Sequence, residues 1–201
     1  MAPLVDHVLY NSLPSLEEAN ISRQVPSMND TINGPIRDVF LKHGAYVTYC
    51  LYLQHRHHSI NLDTTVVKVE GTAHVMDDQA ISDIVSFGNK VAPTTWMTSG
   101  DSILPMEFGV VPAEDTIPAP GTAFISDLLS VLASNGCTDV FGIDTIAKYA
   151  WSEMTIGDSS VVVPSNDSDN YDQDRFIPVA FAFDKDKPAY KVHALQQYQI
   201  Q

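Results

Sequence analysis

Cysteine is scarce in this chain. Only Cys50 and Cys137 occur among 201 residues. Each lies in an apolar neighbourhood with no second cysteine close by, which excludes a disulfide framework and reads as two buried thiols. Basic residues are scarce too: 11 Lys and Arg stand against 25 Asp and Glu, a formal charge of −14. A surface that acidic repels phosphate backbones and anionic lipid, so neither nucleic acid nor membrane is an expected partner. No apolar run approaches the ~20 residues needed to span a bilayer. Met1 to His7 have neither the basic nor the apolar segment of an export signal, so a cytoplasmic location is expected. Phosphate-binding glycine loops, the dinucleotide fingerprint and the G-x-S-x-G elbow are all missing. Nucleotide hydrolysis, Rossmann-type hydride transfer and serine hydrolysis therefore lack support.

Core material is ample. The chain is 44% hydrophobic and 18% charged, with no internal repeat and no convincing linker, and reads as a single domain over 1–201. Residues 1–33, punctuated by Pro3, Pro14 and Pro26, form an irregular lead-in in which Ser15 can cap a short helix over Leu16 to Arg23. A second helix is expected with Asn33 as cap, Pro35 in the first turn and Gly44 as its stop. Thr122 to Ser134 carries the strongest helical stripe, through Phe124, Leu128, Val131 and Leu132.

Strands are expected over Tyr46 to His57, Asp63 to Met76, Val91 to Thr98, Ile103 to Val111, Ala150 to Ile156, Ser159 to Val163, Phe176 to Phe183 and Tyr190 to Leu195. In Asp63 to Met76, Val67, Ala73 and Val75 fall on the core face, with Lys68 and His74 on the other. Short turns join most strands, so the class is α+β, with a mostly antiparallel curved sheet or small barrel-like core and a few flanking helices.

The functional lead is Tyr49 to His58, an apolar run that climbs into three histidines and an arginine. On an extended strand Leu51, Leu53, His55 and His57 share one face, which is apolar before it reaches the imidazoles and therefore points inward. Two imidazoles on one side suit proton transfer near neutral pH, metal ligation or plain hydrogen bonding at a strand end. A metal would need a third ligand, and the glutamate that follows H-x-H in cupins is absent: Ser59 to Leu62 fill that window. Glu107, Glu153 and His193 are the distant candidates. Glu107 and Glu153 are lone acids in apolar strands, either solvent-facing or buried beside the histidines as acid/base partners. Arg56 suits an anionic substrate or a plain carboxylate contact, and Tyr52, Trp96 and Trp151 are candidates to line an apolar cavity. Asp167, Asp169, Asp172 and Asp174 lack the turn glycine of a calcium loop and read as an acidic loop.

The run Leu51-x-Leu53-x-His55-Arg56-His57, preceded by Lys42-His43-Gly44, resembles a pattern in fungal proteins of about this size. Val91 to Trp96, Leu104 to Phe108 and Asp139 to Gly142 are similar as well, so the resemblance spans most of residues 35 to 183. It implies secondary metabolism as a setting and carries no activity with it. His58 stands where that pattern has an aromatic residue. The expectation is an enzyme of isomerase, cyclase or lyase type acting on a small molecule without a cofactor. One alternative is a transition metal at His55 and His57, and another is a non-catalytic binding protein. Self-association is left open.

Overall fold

Short-range chemistry starts the helices. A reciprocal capping box, Ser15 with Glu18, opens α2 (Leu16–Arg23), after a first short helix α1 (His7–Asn11). Next come α3 (Met28–Thr31), a π-type turn over Ile32–Ile36, and α4 (Arg37–Lys42), which Gly44 ends at φ +63°. Helical structure thus begins before Asn33. That side chain is no cap: it accepts the Tyr190 backbone N–H at 2.7 Å. The molecule is described by a computed structural model covering residues 5–69, 72–147, 150–156, 159–164, 172 and 174–197, with backbone only for 155–156 and 159–164.

Ten strands follow: β1 (Tyr49–Leu53), β2 (Thr64–Val69), β3 (Thr72–Asp77), β4 (Asn89–Ser99), β5 (Ser102–Pro112), β6 (Phe141–Thr145), β7 (Trp151–Ile156), β8 (Ser159–Pro164), β9 (Phe176–Ala182) and β10 (Lys191–Gln197). They close into a barrel in the order β1-β6-β4-β5-β2-β3-β8-β7-β10-β9. Only β2 with β5 and β7 with β10 run parallel; the other joints are antiparallel. The α+β barrel expected from the sequence is the fold. Helix α5 (Asp78–Ser86), capped by Asp77, fills the interval after β3, and α6 covers Thr122–Ser134 as its stripe predicts.

Three strand assignments change. Asp63 to Met76 is two strands of one hairpin, so its alternation does not run through: Val67 pairs with His74, and Lys68 with Ala73. Lys68 therefore shares its face with Ala73 and Val75. The strand β6, absent from the strands expected above, is a central neighbour of both β1 and β4. The central strand is shorter than expected, because the backbone leaves extended structure after Leu53.

All five residues of β1 are buried, since helices cover the outside of the barrel there. Tyr49 faces that helical layer, stacked on Phe124 of α6 and edge-on to Trp96; Phe124 in turn meets Phe40 of α4 at 5.0 Å. Leu51 and Leu53 share this outer face, paired with Ile143 and Phe141. Cys50 and Tyr52 point inward. The residue opposite Tyr52 is Gly142, where a Cβ would run into the Trp96 carbonyl. Among the described residues no helix is long and apolar enough to cross a membrane.

Candidate functional site

The barrel interior is polar. Lys68 on β2 reaches across two intervening strands to β6, placing Nζ 3.2 Å from Asp144 Oδ2, 3.1 Å from Glu107 Oε2 and 2.9 Å from Thr95 Oγ1. Thr95 donates its hydroxyl to Asp144 Oδ1 at 2.8 Å. The other Glu107 oxygen lies 3.0 Å from Nδ1 of His57, although the two meet at a poorer angle than a hydrogen bond requires. Glu153 Oε2, on β7, is 3.9 Å from Nε2 of the same ring, and the Tyr52 hydroxyl is 3.3 Å from that nitrogen. Glu107 and Glu153, at 0% and 1% exposure, are both buried rather than solvent-facing.

His55 and His57 do come together, their ring centroids 4.9 Å apart, but not by strand alternation. Both follow the end of β1, and the face carrying Leu51 and Leu53 is the outer one. The chain turns inward because it is held: the His57 backbone N–H donates to the Tyr10 hydroxyl at 3.2 Å, and the Arg56 N–H to the Pro14 carbonyl at 3.0 Å. The irregular lead-in therefore seats the histidines. Gln54 fixes the preceding residue by accepting the Thr98 N–H at 2.6 Å and donating to the Asp139 carbonyl at 3.3 Å.

The two imidazoles hold opposite protonation states at neutral pH. Burial disfavours the charge on both. For His55 the neighbouring His57 adds to burial, and the ring is pulled down to about 4, hence neutral. Leu53's carbonyl, 2.7 Å from Nδ1, can only accept, so it fixes the proton there; Nε2 lies 2.5 Å from the Gln196 side-chain oxygen, so the neutral ring requires the Gln196 amide turned to present its NH2 to Nε2. For His57 burial is outweighed by Glu107 and then Glu153, which lift it to about 9. Burial would raise the Glu107 carboxyl, but His57 and Lys68 overcome it and hold it well below the usual range. Lys68 is likewise pushed up, against its burial, by Asp144 and Glu107. Asp144 itself is raised, because burial exceeds the help of Lys68.

A cavity of about 660 Å³ opens over this cluster at the His57 end of the barrel. His57 and Gln196 border it from inside, and Arg56, His58, Glu17 and Ser59 from the rim. It is polar rather than apolar, and Tyr52, Trp96 and Trp151 do not border it. Tyr52 is fully buried behind His57. Trp96 faces the helical layer because its neighbour Thr95 faces in. Trp151 borders a second cavity, of about 270 Å³, with Lys68 and Asp144 nearer the other end. Arg56 does border the main cavity, with its guanidinium donating to the Leu13 carbonyl. His193, offered as a third ligand, is buried on β10; burial lowers it, partly offset by Asp144.

Among the described residues, no group of three or more His, Cys, Asp or Glu side chains is arranged to hold a metal ion. The acidic loop expected at Asp167 and Asp169 lies outside the described residues. Sequence reasoning missed Lys68, Asp144, Tyr10, Thr95 and Gln196. Two of these carried a signal: Lys68 is the only charge in Thr64–Val69 and Asp144 the only charge in Phe141–Thr145. No family model matches the chain, and neither a curated protein nor a solved structure matches it significantly.

Proposed function

We propose that this barrel is an enzyme that moves a proton on a small polar molecule, of isomerase, cyclase or lyase type, with His57 as the general acid. The observation that carries the reading is a charged His57 bordering the cavity, its ring 4.9 Å from that of a neutral, fully buried His55. Neighbouring titratable groups pushed apart in this way define acid and base roles. In this reading His57 gives its Nε2 proton to an oxygen of the substrate and keeps its Nδ1 proton facing Glu107. Glu107 stays ionised throughout, fixing the ring and stabilising the imidazolium before transfer. Tyr52, in contact with Nε2, positions that proton. The ring, now neutral, takes a proton back at Nε2 from the carbon beside the one bearing that oxygen, so the C–H bond breaks as the enol forms and the cycle closes with His57 recharged. The polar rim, Arg56 and His58 included, favours a substrate rich in oxygen or nitrogen over a hydrocarbon.

Hydrogen exchange tests this across many compounds at once. A mixture of small carbonyl compounds is held in heavy water with the protein, and exchange of carbon-bound hydrogen is followed by proton NMR. The wild-type chain is expected to accelerate exchange for at least one compound, and His57→Gln to lose about 10²-fold or more of it. Equal exchange by both proteins would remove His57 as the acid.

A further inference from the structure

Glu153 is the buried acid that this reading leaves without a task. Among the described residues neither of its oxygens has a hydrogen-bond partner, and its nearest cation is His57, 3.9 Å away. On β10 its register partner is Gln196, whose amide head is at His55. A sealed carboxyl group without partners is costly, and a ligand that supplies donors relieves that cost. Among the described residues the interior is short of positive charge, with Glu107, Asp144 and Glu153 paired only with His57 and Lys68. Glu153 does not itself border the 660 Å³ cavity; His57 and Gln196, the residues beside it, do so from inside, and a ligand group reaches Glu153 by passing between them. The cavity rim carries the acid Glu17 as well as the cation Arg56, and the chain's net charge of −14 concentrates small cations outside it.

We infer that the cavity receives a small molecule bearing a protonated amine, whose ammonium group reaches the Glu153 carboxylate beside His57 and Gln196. This names a substrate class for the acid–base site and rests on that reading for the word substrate; the binding itself does not depend on it. The ammonium supplies the donors that Glu153 lacks. It also brings a second cation up to His57, and so makes the His57 proton easier to give away. Glu107, Lys68, His55 and Tyr52 face His57 as well, but none of them changes when the amine arrives.

The experiment compares three probes of one shape on the full chain: n-butylammonium, 1-butanol and butyrate. Binding is followed by NMR titration, with the His57 ring resonances as reporter. Butylammonium is expected to saturate and to bind about tenfold or more tighter than either other probe. It should also draw the His57 midpoint down from about 9, and Glu153→Gln should erase its advantage. The inference is overturned if butanol or butyrate binds as well as the ammonium, if no probe binds, or if Glu153→Gln leaves the ammonium affinity unchanged. The ranking on the wild-type chain decides the matter even where that variant fails to fold. Proton exchange that is lost in His57→Gln, with no ammonium binding in the wild type, would remove this inference and leave the acid–base reading standing.

Discussion

Oε1 of Glu107 lies 3.0 Å from Nδ1 of His57, with both side chains sealed from solvent. The contact joins a strand in the middle of the chain to a loop held by the N-terminal lead-in. It also sets the charge of the one ring that meets both the cavity and the buried cluster. Neither partner would carry its charge there alone, because burial acts against both.

Replacing Glu107 by Gln tests that dependence. The His57 midpoint is expected to fall by about 1–3 units, as happens when a close opposite charge is removed. Stability should drop by about 3 kcal/mol, the usual cost of breaking one side of a buried pair. A titration of the His57 ring by NMR, with urea unfolding alongside, reads both. An unmoved midpoint would show that Glu107 does not hold the proton.

The pH dependence of stability follows from the same pair. His57 is raised in the folded state, from an ordinary 6.5 to about 9. Its contribution is complete below pH 6.5, shrinks as pH rises and is gone above about 9. Glu107 is depressed, so its share is present above its ordinary 4.5 and is lost as acid titrates the folded carboxylate. The melting temperature should therefore decline between pH 7 and 10. The decline should be visibly smaller in His57→Gln, measured by scanning calorimetry.

Lys68 holds Asp144 and Glu107 apart and neutralised. Lys68→Met keeps the bulk and removes the charge, leaving two buried acids without it. A loss of about 3–5 kcal/mol is expected. Adding Asp144→Asn should return part of that loss, with a coupling of about 1–3 kcal/mol in a double-mutant cycle from denaturant midpoints. Strict additivity would mean that the two groups do not interact.

Two glycines on inner strands should respond differently to alanine. At Gly142 the new methyl would meet the backbone carbonyl of Trp96, which the sheet cannot move without parting β4 from β6. At Gly109 the methyl would stand 2.6 Å from the Thr94 Cγ2, a side-chain methyl rather than backbone. Gly142→Ala is expected to cost about 3 kcal/mol or to prevent folding, and Gly109→Ala about 1 kcal/mol. Thermal unfolding of the two variants gives the ranking directly.

Local chemistry was legible in the sequence because it acts over a few residues. The Ser15 cap, the stripe of α6 and the Gly44 stop each depend on near neighbours, and each is where the pattern puts it. The stretch ending in His55 and His57, and the lone acids Glu107 and Glu153, could also be singled out, since charge in an apolar strand stands out in any fold. What the chain alone left undecided was which of these groups meet. Alternation could not orient β1, buried on both faces, nor follow Asp63 to Met76 through a turn that reverses parity. Lys68 consequently changed sides. Asp144 came with a strand too short to announce itself, and His55 and His57 were aimed by Tyr10 and Pro14, more than 40 residues away. Closing the barrel brings β1, β2, β5, β6 and β7 around one interior. The protonation states of its histidines follow from that enclosure, because burial and opposing charge act through space and not along the chain.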